Sequence, residues 1–144
     1  MFKHILIATD GSELSQKAVA QGLQLASELK AKVLAITVTE PWTMIGGRMP
    51  TPSVIETYEE AARENAARIA SSVSEAAKKK NVMCSAVHVS GRHAAEGIIE
   101  AAQKNGCDLI VMASHGRRGL GRVLVGSVAT EVLVRSTLPV LICR

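Results

Sequence analysis

Aromatic side chains are nearly absent from this chain, whose 144 residues include one Trp, one Tyr and one Phe. A surface that reads nucleic acid by base stacking needs several such rings. The net charge of +4, from 17 Lys and Arg against 13 Asp and Glu, is modest and forms no basic stripe. No nucleic-acid partner is therefore expected. With 47% hydrophobic residues and so few rings, the core must be built from Ala, Val, Leu and Ile. Cysteine is scarce as well. Cys84, Cys107 and Cys143 are odd in number and far apart, which argues against a disulfide framework and a zinc site. They fit small buried side chains in a reducing cytoplasm. No apolar run approaches the ~18 residues of a membrane span. The start, Phe2-Lys3-His4-Ile5-Leu6-Ile7-Ala8, enters a strand pattern at once, unlike a signal peptide. A cytoplasmic protein with no membrane segment is expected, organised as one domain over residues 1–144.

Catalytic signatures are missing too. No Ser or Cys stands in a recognisable nucleophile elbow. His4, His88 and His93 are scattered, and no His-x-x-x-His spacing suggests a metal. The run Lys78-Lys79-Lys80 closes a helical pattern, where cations complement the dipole.

What is present is alternation. Strand patterns at Ile5 to Thr9, Val33 to Thr39, Met83 to Val89, Asp108 to Ala113 and Val140 to Cys143 are separated by helical patterns. Ser15, Ala18, Val19, Gly22, Leu23, Ala26 and Leu29 recur at helical spacing. A long helix from about Ser53 to Lys80 carries Ile55, Tyr58, Ala62, Ile69 and Val73 on one side. His93 to Asn105 is the third helix, closed by Asn105-Gly106. This order predicts an α/β fold, a five-stranded parallel sheet, doubly wound. One segment, Glu40 to Pro52, has three prolines and a Gly-Gly pair and fits neither element. Its Trp42, Met44, Ile45 and Met49 need a partner, so it reads as a lid, a partner contact or a plain linker.

The richest feature is Met112 to Ser127, a glycine-rich turn between the fourth strand and a helix beginning near Val128. Such turns let backbone N–H groups approach an anion. Arg117, Arg118 and Arg122 add fixed positive charge where phosphates would sit. Two familiar phosphate loops fail. A P-loop needs Lys where Arg122 stands and a hydroxyl where Val123 stands. A dinucleotide fingerprint needs glycine where Leu124 stands. The plain alternative is a basic surface loop. In a doubly wound sheet, ligands bind at the strand ends where the order reverses. If the first and fourth strands are neighbours there, Ala8-Thr9-Asp10-Gly11-Ser12 faces the glycine loop. Asp10 then suits a ribose hydroxyl, Mg2+, or both, and equally a helix N-cap, a role open to Ser12 as well.

These residues resemble the universal stress protein family from Phe2 to Arg144. ATP-binding members of that family carry glycine, two residues, glycine, nine residues, then glycine and Ser or Thr. Here Gly116 is the second glycine, nine residues run from Arg117 to Val125, and Gly126-Ser127 closes the motif. Ile5 to Ser12 and Leu138-Pro139-Val140-Leu141-Ile142 are similar to the family as well. The motif's first glycine is replaced by Ala113. The resemblance implies a Rossmann-like domain that binds ATP with Mg2+. It places Ala8, Thr9 and Asp10 along the adenosine, with Val38 against the adenine. Met112, Ala113, His115 and Gly116 follow the ribose and phosphates. Arg117 contributes charge, and Gly126, Ser127, Val128 and Ala129 complete the cradle. Asp10 is the expected metal contact. His115 is expected to position the loop rather than to catalyse. The expected function is a nucleotide-responsive stress or signalling module, not an enzyme. The alternatives are an interaction module of the same fold without nucleotide, and a slow ATPase. Besides an adenine nucleotide and an unidentified protein partner, a homodimer is expected. Val140 to Cys143 should be an uncharged edge strand that pairs with a second copy, as in family members, unless the Trp42 loop covers it.

Overall fold

The computed structural model describes residues 1–43, 46–116 and 125–144. Among them the elements alternate as β1 (His4–Ala8), α1 (Glu13–Leu29), β2 (Lys32–Thr39), α2 (Pro52–Lys79), β3 (Cys84–Ser90), α3 (Ala94–Lys104), β4 (Leu109–Ala113), α4 (Ser127–Arg135) and β5 (Val140–Cys143). Local chemistry sets the boundaries. Ser12 holds an extended conformation and its side chain accepts the Ser15 N–H, so α1 starts at Glu13. Thr51 does the same for α2, with Pro52 in the first turn. The third helix ends at Asn105, and Gly106 follows at φ +66°, the left-handed conformation that glycine tolerates best.

The strands form one parallel sheet in the order β3-β2-β1-β4-β5. β1 pairs with β2 through Ile5 opposite Val33, and with β4 through Ile5 opposite Leu109. The order reverses between β1 and β4, as expected. Every residue of β4 is buried, and so are Ile5 to Ala8, because helices cover both faces. One face packs Ile5, Ile7, Val33, Ala35 and Val111 against Leu23 of α1 and Val73 of α2. The other packs Leu6, Leu34, Ile36 and Ile110 against Ile98 of α3 and Val132 of α4. Aliphatic and small residues fill both layers, as the composition requires. Cys107 and Cys143 are buried and Cys84 half-buried, all as free thiols. Burial, with the Asp108 carboxylate, pushes the Cys107 thiol up to about 11.

One expectation needs correction. The apolar side assigned to α2 is buried only in its second half, at Ile69 and Val73. Ile55 and Ala62 are half-buried, and Tyr58 is 40% exposed. The first turns of α2 extend beyond the sheet, and Tyr58 uses its hydroxyl to donate to the Glu40 carbonyl at 2.8 Å. The segment after β2 is also tied by the Glu40 carboxylate, 3.3 Å from His93 Nδ1. Both of these side chains are largely exposed, so the pair contributes little. In the same segment Trp42 is half-buried and Met49 is exposed. Met44 and Ile45 lie outside the described residues.

Candidate functional site

The carboxyl ends of β1 and β4 lie side by side at the reversal point, and two turns leave from them. The first is Thr9 to Ser12. Thr9 Oγ1 and Ser15 Oγ are 3.0 Å apart in a buried pair, and Thr9 Oγ1 also accepts the Gly11 N–H at 3.2 Å. Asp10 Oδ1 accepts the Ser12 N–H at 2.9 Å. The two candidate caps are thereby separated: Ser12 caps α1, and Asp10 turns toward β4. Its Oδ2 lies 2.7 Å from the point a Cβ on Gly116 would occupy. A side chain at Gly116 would require that carboxylate to shift.

The second turn leaves β4. Its side chains alternate across the sheet, so Met112 and Ala113 point to opposite faces. Met112 joins the α3–α4 layer with Ala8 and the half-buried Val38. Ala113 packs into the α1–α2 layer and is 7% exposed. The methyl that replaces the motif's first glycine therefore takes no space on the Met112 side. Ser114 is buried and its Oγ lies 3.1 Å from His115 Nδ1. Among the described residues, His115 Nε2 is the only buried side-chain nitrogen or oxygen without a hydrogen-bond partner. Such an atom is costly unless something reaches it.

The chain returns to this point at Gly126, whose N–H donates to the Ser114 carbonyl at 2.6 Å. A Cβ on Gly126 would stand 2.9 Å from that carbonyl oxygen and 3.5 Å from His115 Cδ2. Gly126 is also the N-cap of α4 and supplies no capping side chain. The first-turn N–H groups of Ser127, Val128 and Ala129 thus have no intrahelical acceptor and no side-chain cap. Ser127 is exposed, Val128 half-buried and Ala129 buried. A helix end of this kind favours an anion through its donors and its dipole.

Ala8, Thr9, Asp10, Val38, Met112, His115, Gly116, Gly126, Ser127, Val128 and Ala129 are therefore gathered around one end of the sheet. Ala113 is adjacent, with its side chain turned to the other face. Arg117, Arg118 and Arg122 lie outside the described residues. Sequence reasoning set Ser15 on the patterned side of α1 but gave its buried hydroxyl no role, and it passed over the buried hydroxyl of Ser114. The signal for each was a Ser inside or directly after an apolar pattern, where it needs a polar partner. Among the described residues no three His, Cys, Asp or Glu side chains cluster as a metal cage.

Comparison with known proteins places this geometry in context. The profile described as the universal stress protein family matches residues 1–144. A universal stress protein of Methanocaldococcus jannaschii is 34% identical over 144 residues, covering all of this chain and 83% of that protein. Universal stress protein YxiE of Bacillus subtilis is 34% identical over 151 residues, covering both chains fully. Among solved structures, the M. jannaschii protein MJ0577 superposes with TM-score 0.79 at 27% identity, over 99% of this chain and 96% of that one. A universal stress protein in complex with cAMP has TM-score 0.69 at 24% identity, over 99% and 97% of the two chains. One from Archaeoglobus fulgidus in complex with dAMP has TM-score 0.65 at 17% identity, over 100% and 98%. At such identities these last two share the fold.

Proposed function

This chain belongs to the universal stress protein family, and on that premise we propose that the cleft over β1 and β4 binds ATP with Mg2+. The observation that carries the reading is the buried, unpartnered Nε2 of His115, set against Gly126 at the start of an uncapped helix. The adenine nucleotides in two structures of the same fold support the ligand class. Ala8, Val38 and Met112 offer apolar strand ends to the base, and Thr9 and Asp10 serve the ribose. Ala113, His115 and Gly116 follow the ribose and phosphates. Gly126, Ser127, Val128 and Ala129 hold the phosphates, with added charge from Arg117. Asp10 is the protein ligand to Mg2+, an ion that commonly takes one or two carboxylates and completes its shell with phosphates and water. Mass spectrometry under native conditions tests the reading. A nucleotide is expected to co-purify, and millimolar ATP is expected to raise the melting temperature. A nucleotide-free protein whose melting is unmoved by ATP would instead be an interaction module.

Binding is not expected to lead to efficient hydrolysis. The sequence offers Arg117, Arg118 and Arg122 for charge neutralisation but no residue set to position a water. Turnover should fall far below the ~1–10³ per second of ordinary enzymes. A rate within that range, lost in His115→Ala, would overturn this expectation.

The module is further proposed to be cytoplasmic, where its three free thiols suit a reducing compartment. We also propose a homodimer through the β5 edge, read by a further protein partner. No described helix is long and apolar enough to cross a membrane.

A further inference from the structure

A second cavity lies away from this cleft, between α2 and the outer strands β2 and β3. It measures about 250 Å³. It is a half-open groove rather than an enclosed void, since Ala67, Ala86 and Val87 of its lining are exposed. Here the cause is composition: Ala66, Ala67 and Ala70 of α2 meet Ala35 and Ala86 of the sheet, and five methyl groups do not fill the space. Ile69 and Val87 extend the apolar wall. A void of about 150 Å³ accommodates a benzene ring, and drug-sized ligands need about 300 Å³ or more. The size therefore selects a ligand of roughly seven to ten non-hydrogen atoms.

The remaining lining is polar and cationic: Thr37, His88 and Arg63, with no carboxylate among the lining residues. Among the described residues, Arg63 has neither an ion-pair nor a hydrogen-bond partner. His88 Nε2 lies 2.7 Å from Thr39 Oγ1, which fixes the ring beside the cavity. Burial and then the Arg63 charge hold the imidazole below its ordinary pKa, so it is neutral at pH 7 and Arg63 is the cationic group.

We propose that this cavity binds a small amphiphilic monocarboxylate, its aliphatic tail along the alanine walls and its carboxylate on the Arg63 guanidinium. A planar guanidinium suits a carboxylate, which it can hold through two parallel N–H bonds. The site is independent of the nucleotide cleft.

Hexanoate is the probe, titrated into the full chain and followed by NMR, with hexan-1-ol as an uncharged probe of nearly the same shape. Saturable hexanoate binding is expected at millimolar concentration or below. Hexanol, and hexanoate on Arg63→Gln, should each bind about tenfold more weakly, the effect of one charge-assisted contact. Ala70→Leu should fill the cavity and abolish binding. Arg63 is exposed, so R63Q tests the charge without relying on a core replacement. Absence of saturable hexanoate binding would overturn the proposal. Equal affinity for hexanol, or R63Q binding as tightly as the unchanged protein, would overturn it as well. ATP-induced stabilisation, measured in parallel, should be the same in every variant.

Discussion

Replacing Gly126 with Val is expected to abolish the rise in melting temperature that ATP produces in the unchanged protein. At about 100 times its dissociation constant, a ligand that binds only the folded state stabilises it by roughly 2.7 kcal/mol. For a chain of this length that is a shift on the order of 5–11 °C. The Gly126 backbone is at φ −71°, a conformation open to any residue, so the effect is steric. A Cβ there comes 2.9 Å from the Ser114 carbonyl, a backbone atom held in place by the 2.6 Å bond from Gly126 N–H. Relief requires β4 and the start of α4 to separate, which displaces His115 and the first-turn N–H groups together. Each protein is melted with and without ATP, so a loss of intrinsic stability in the variant is measured separately. A G126V protein that keeps the full ATP shift would remove this glycine from the cleft.

Replacing Leu141 with Lys is expected to convert a dimer into a monomer. Among the described residues β5 pairs only with β4, so it forms an edge of the sheet. Leu141 is 41% exposed there, and α4, on the other face, exposes Leu133 at 46% and Val134 at 78%. Such an edge invites pairing, and a two-fold axis satisfies both copies at once. The loop carrying Trp42 leaves from β2, on the far side of β1 from β5, and its described anchors are Tyr58 of α2 and His93 before α3. Fully burying a leucine is worth about 1.5–3 kcal/mol, and the exposed 41% of Leu141 in each of two copies is worth roughly 1–2.5 kcal/mol together, so the dissociation constant should weaken by about one to two decades. Light scattering at micromolar concentration checks this. A monomeric unchanged chain, or an L141K protein that remains dimeric, would refute the interface.

The fold was legible because its signals are redundant. Ile5 to Ala8 of β1 and all of β4 are apolar runs, buried on both faces, and α1 and α2 carry their own side-chain caps. The adjacency of β1 and β4 entered the sequence reading as a condition, and the strand order meets it. Other features depended on information no local pattern holds. Helical periodicity identified the apolar side of α2 but not how much of it is covered, so the 40% exposure of Tyr58 was not foreseen. Asp10 and Ser12 are both good caps, and only the position of Gly116 separates their roles. The orientation of Ala113 was within reach, since strand alternation puts it opposite Met112. The groove beside Arg63 was not, because a count of alanines does not say which ones meet.

The strand order also has a consequence for how the molecule is made. The central strand is the first in the chain, yet it acquires its second neighbour only when Leu109 reaches Ile5. During synthesis β1, β2 and β3 can associate early, but one side of β1 keeps an unpaired hydrogen-bonding edge until β4 emerges. Long-range parallel pairing of this kind slows folding and prolongs exposure of apolar surface. The nascent chain is therefore most prone to aggregation after β3 and before β4, the interval in which a chaperone has most to protect.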